Sequence, residues 1–96
     1  MSNKELYKQK MQAKLDEWEA DVDVLKAKAS QASSNAQLEW NQEINLLKGK
    51  IEHGKAKLAK VSNASEDSWE SIKKGVDSAW DALSVAVRDA KAKFKE

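Results

Sequence analysis

MQAKLDEWEADVDVLKAKASQASSNAQLEWNQEINLLKGKIEHGKAKLAKV, residues 11–61, is the stretch that decides the fold. A helix turns about 100° per residue, so side chains three, four and seven apart share a face. On that count Met11, Leu15, Trp18, Val22, Leu25, Ala29, Ala32, Ala36, Trp40, Ile44, Leu47, Ile51, Leu58 and Val61 fall within roughly 120° of arc. Of the fourteen Met, Leu, Ile, Val and Trp residues in the stretch, only Val24, Leu38 and Leu46 leave the stripe. Chance would leave about nine outside it. The period is helical, and so long an apolar face must be covered by another helix.

The region Ser62-Asn63-Ala64-Ser65-Glu66-Asp67 holds the best break, because Asn63 or Ser65 can cap a helix and Glu66, Asp67 and Glu70 suit a first turn. A second helix is expected over residues 66–95, with Trp69, Ile72, Val76, Ala79, Trp80, Leu83, Val87, Ala90 and Phe94 within roughly 100° of arc. The first helix is expected over residues 3–62. Within it, Ser30-Gln31-Ala32-Ser33-Ser34-Asn35 is a weak helix former with no Gly or Pro to end the helix.

Folding residues 36–61 back on 3–29 sets Met11 against Val61, Leu15 against Leu58, Val22 against Ile51 and Leu25 against Leu47. Trp18 then meets Gly54 and Trp40 meets Ala32, the alternation of large and small that close packing favours. The acids at 16, 17, 19, 21 and 23 come beside the lysines at 48, 50, 55, 57 and 60, and Lys4, Lys8 and Lys10 approach Glu66, Asp67 and Glu70. Folding back at 63–65 sets Trp69 against Val61, Ile72 against Leu58, Val76 against Gly54, Leu83 against Leu47, Ala90 against Trp40 and Phe94 against Ala36. Two all-α structures satisfy these pairings. The preferred one is a long helical hairpin with a turn at 62–66, paired as an antiparallel dimer that crosses at Ala29, Ala32 and Ala36. The alternative is a monomeric three-helix bundle with a loop at 30–35, of which the dimer is the domain-swapped form.

Composition agrees. The chain has 96 residues, no Pro, no Cys, three Gly and a formal net charge of +1, and its mean hydropathy is −0.77. A single helical unit over residues 1–96 is expected, without disulfides. The first residues lead straight into charge and no apolar run approaches signal-peptide length, so a cytoplasmic protein is expected. His53 is the sole histidine and has no partner at ligand spacing, so no metal site is expected. No nucleophile can be paired with a base, and no strand precedes Gly49, Gly54 or Gly75 as a phosphate loop requires. No enzyme or cofactor is therefore expected, nor a nucleic acid, since the basic blocks alternate with acidic ones. Gly54 reads as a packing notch.

Trp18, Trp40, Trp69 and Trp80 all lie on the apolar stripes and read as core anchors. A different reading lets helix 66–95, with Lys91, Lys93 and Lys95 beside its Trp and Phe face, lie on an anionic membrane; Asp77, Asp81 and Asp89 weaken that attraction.

Residues 11–29, MQAKLDEWEADVDVLKAKA, and 64–83, ASEDSWESIKKGVDSAWDAL, followed by Ala90 and Phe94, resemble a family of small bacterial and cyanobacterial coiled-coil proteins associated with stress response. The most specific elements are Leu15-Asp16-Glu17-Trp18 and the run from Trp69-Glu70 through Lys74-Gly75-Val76 to Ala79-Trp80. The Ser-rich segment 30–35 departs from the family pattern. The resemblance implies a helical, non-enzymatic protein made under stress, and it brings no catalytic or ligand residue. Its partners are expected to be further copies of the chain, with a membrane surface or an unfolded client as alternatives.

Overall fold

The computed structural model describes residues 2–94 and holds three helices: α1 (Asn3–Ser30), α2 (Ser34–Asn63) and α3 (Trp69–Lys93). Lys95, at the end of the expected second helix, lies outside the described residues. The helices run up, down and up in a bundle measuring 52 × 19 × 18 Å. α2 packs extensively on both neighbours, whereas α1 and α3, which run parallel, touch mainly through large side chains.

The all-α expectation holds, and of the two arrangements the single chain adopts the three-helix bundle. The helix expected over 3–62 is broken at 31–33, and hydrogen bonds explain why. The Ser33 hydroxyl accepts from the Ala36 amide at 3.4 Å and caps α2. The Gln37 side-chain amide donates back to the carbonyls of Ser30 (3.1 Å) and Ala32 (2.9 Å), which would otherwise be orphaned at the end of α1. Serine and glutamine side chains thus do the work expected of Gly or Pro. No described residue has a positive φ.

The second turn lies where expected, but α3 begins at Trp69, three residues later than residue 66. Ser65 and Ser68 make a small knot: the Ser65 amide donates to the Ser68 hydroxyl, and the Ser68 and Trp69 amides donate to the Ser65 carbonyl. Lys4 reaches across to the carbonyls of Ser62 (3.4 Å) and Ala64 (2.7 Å), placing a cation on the C-terminal end of α2. It does not meet the acids at 66, 67 and 70, and Lys8 bonds to Glu5 of its own helix at 3.5 Å.

The longer turn displaces the α2–α3 register by about one helical turn from expectation. Trp40 stacks on Phe94 rather than Ala90, at 4.4 Å between ring centroids. Gly54 faces Trp80 and Leu83 rather than Val76. The notch at Gly54 is real, but α3 fills it instead of Trp18, which lies 6.1 Å from the Trp80 ring. Ala32 and Ala36 line an open hollow at this end of the bundle together with Lys28, Gln31, Trp40 and Phe94. In the single chain these alanines border the aromatic end of the bundle.

Candidate interaction surface

The apolar residues singled out in the sequence form one core. Leu15, Trp18, Val22, Leu25 and Ala29 of α1, Leu47, Ile51 and Leu58 of α2, and Trp69, Val76, Trp80, Leu83 and Val87 of α3 are buried with Phe94, as is Gly54. Ala32, Ala36, Trp40 and Ile72 are half-buried at its edges. Each fully buried Leu, Val or aromatic side chain is worth about 1.5–3 kcal/mol. The exposed ion pairs add only about 0–1 kcal/mol each, so the core stabilises and the charges select register. Of the expected acid–lysine pairs, Glu19–Lys55 forms at 3.1 Å. Asp21 instead meets Lys91 of α3 at 3.5 Å, and Glu43 meets Lys93 at 2.9 Å.

Tyr7 is the core residue that the stripe did not include. It lies one turn before Met11 and is buried against Trp69, with ring centroids 5.5 Å apart. Its hydroxyl donates to the Asp77 carboxylate at 2.6 Å. Burial, and then the Asp77 hydrogen bond and charge, push the phenol well above its ordinary value. The Lys73 ammonium lies 5.4 Å from the Tyr7 ring and 6.0 Å from the Trp69 ring. Further along, the Trp80 indole donates to the Met11 carbonyl at 3.2 Å. Two polar ties therefore hold α3 to α1 where the backbones stand apart, and both join aromatic anchors to named partners.

None of these groups opens into an enclosed cavity. The main concave feature is a trough on the outer side of the bundle between α2 and α3. One section, about 630 Å³, is lined by Glu43, Leu46, Leu47, Lys50, Ala86, Asp89, Ala90, Ala92 and Lys93. The next, about 470 Å³, is lined by Leu46, Gly49, Lys50, His53, Gly54, Lys57, Ala79, Ala82 and Leu83. Leu46 and Lys50 border both sections, so the two lie end to end along the α2–α3 seam. The form of the trough follows from side-chain size. Gly49 on α2 and Ala79 and Ala82 on α3 all border the second section, and an added Cβ at Gly49 would touch nothing within 4 Å. Leu46 stands at the mouth, 63% exposed.

Val24, Leu38 and Leu46, the three residues off the stripe, are all exposed, as the phase argument requires. The sequence marked Leu46 as outside the core but held no sign that it would border a trough, because the opposite wall comes from α3. Among the described residues no three His, Asp or Glu side chains are grouped as a metal site. No helix of the described chain is long and apolar enough to cross a membrane. Comparison with family models, with curated proteins and with solved structures finds no match for this chain.

Proposed function

We propose that this chain is a non-enzymatic helical protein that acts by presenting helix surfaces to other proteins, first of all to copies of itself, as a cytoplasmic component of a stress response. The observation that carries this reading is the α2–α3 trough: Ala79, Ala82 and Ala86 of α3 line it beside the buried Leu47 and Leu83, and Leu46 stands at its mouth while the main apolar stripe is covered inside the bundle. The alanines along one wall let another helix approach closely, and an exposed leucine on the other gives that helix something to bury. The stress assignment rests on the resemblance of residues 11–29 and 64–83 to the coiled-coil stress family.

An exchanged dimer is a second route to self-association. Gln31 already has right-handed helical angles, and Ala29, Ala32 and Ala36 keep helical phase through the hinge, so opening residues 31–33 would join α1 and α2 into one rod and remake the α1–α2 interface between two chains. Lipid binding through α3 asks for more. Its apolar face must leave α2 and break the Trp80–Met11 and Tyr7–Asp77 hydrogen bonds, which favours a protein partner over a membrane. An unfolded client would use the same trough. Sedimentation velocity over a wide concentration range tests the reading: the mass is expected to rise above that of one chain, and Leu46→Glu to reduce the rise. A wild-type protein that stays a single chain throughout would contradict it.

A further inference from the structure

We infer that the trough receives α1 of a second copy of this chain, so that bundles assemble side by side in an open-ended row. The inference deepens the self-association reading and rests on it. α1 carries a second, thinner apolar stripe on the face away from the core. Leu6, Ala13, Ala20, Val24 and Ala27 are all exposed and recur at helical intervals, with Leu6 50% and Val24 54% accessible. The stripe is a low ridge and the trough is a groove, and the two lie on opposite sides of the bundle.

Charge fixes the orientation. Asp16 and Asp23 lie on one flank of the ridge, seven residues and about 10.5 Å apart along the helix. Lys50 and Lys57 line the α2 wall of the trough with the same spacing. None of the four makes a cross-helix ion pair within the described chain. With the incoming α1 antiparallel to α2, Asp23 meets Lys50 and Asp16 meets Lys57. The opposite flank then faces α3, where Lys28 comes level with Asp89 to within a turn. Val24 falls beside Gly49 and Ala86, where the trough has room for it. The reverse orientation turns the acid flank to the α3 wall, which carries Asp89, and Lys28 to the wall that carries Lys50 and Lys57.

The consequence is geometric. This is the same register that pairs α1 with α2 inside one chain, so neighbouring bundles point the same way with little axial offset. A ridge on one side and a groove on the other make a heterologous contact, which propagates rather than closing on a two-fold axis. The ion pairs at its rim are exposed, so assembly weakens as salt rises.

The test uses the charge-reversed variants D16K/D23K and K50E/K57E in sedimentation velocity at low ionic strength, with circular dichroism to confirm that each is as helical as wild type. Wild type is expected to form a concentration-dependent series beyond two copies. Each variant alone is expected to need at least tenfold more protein to associate. An equimolar mixture of the two, whose ridges and grooves are complementary again, is expected to recover the series. A mixture that stays unassociated while wild type assembles overturns the docking mode and leaves self-association standing. A wild-type series that stops at two copies and ignores both reversals does the same, in favour of the exchanged dimer. A wild-type protein that remains a single chain overturns both.

Discussion

Tyr7 shows how a single side chain couples two helices that hardly touch. Its phenol keeps its proton in the folded chain well above the ordinary value of 10.0, first because it is buried and then because Asp77 accepts its hydrogen bond. Above that pH the unfolded chain releases the proton while the folded chain holds it, so the contribution is complete below pH 10 and declines as pH rises. Tyr7→Phe is expected to cost about 1 kcal/mol near neutral pH, since the lost bond is to a half-exposed carboxylate. The difference from wild type should shrink above pH 10, and thermal melts of both proteins across that range would check it. Equal slopes at neutral and alkaline pH would show that Tyr7 contributes no linkage. Gly54 gives a second test at this scale. A Cβ there would lie 3.1 Å from Leu83 Cδ1 and 3.3 Å from Trp80 Cζ3. The Trp80 ring is pinned by Met11 and packed on Trp18, so crowding of about 1–3 kcal/mol outweighs the helix-propensity gain of about 1 kcal/mol. Gly54→Ala should lower the melting temperature, and Gly75→Ala, with nothing within 4 Å, should raise it.

At the scale of elements, the helices were legible in the period of the apolar residues and the breaks less so. The stripe from Met11 to Val61 named the buried faces of α1 and α2, and its three exceptions are exposed. Phase could not locate the hinge, because Ala29, Ala32 and Ala36 stay in step across it. What breaks the helix is a set of side-chain hydrogen bonds, of which the Ser33 cap follows a readable serine preference and the Gln37 return does not. The α2–α3 register was missed by about a turn because the Ser65–Ser68 knot adds residues to the loop. Tyr7 keeps the phase of the stripe one turn before Met11, but a phenol with its polar hydroxyl does not mark a buried face as Met, Leu, Ile, Val or Trp do. Removing the hinge cap with Ser33→Ala is expected to cost the bundle about 1 kcal/mol and to increase the share of any exchanged dimer, since alanine favours the continuous helix. Urea melts would read the first effect, and light scattering after refolding at high concentration the second.

At the scale of the molecule, the covered stripe and the open trough are two consequences of residue size. Large side chains point inward from all three helices, and the Trp80 and Tyr7 hydrogen bonds hold α1 and α3 about the core they share. Small side chains on one flank of α3, Ala79, Ala82 and Ala86, leave the outer face concave. The bundle is therefore complete as one chain and still carries an unfilled surface. That claim is open to direct measurement by small-angle X-ray scattering of dilute protein at high ionic strength, where the rim ion pairs are screened. A single bundle predicts a radius of gyration close to the 15.5 Å of its Cα trace and a particle little longer than its 52 Å long axis. A rod-like profile extending to about 90 Å, the length of α1 and α2 joined into one helix, would contradict it.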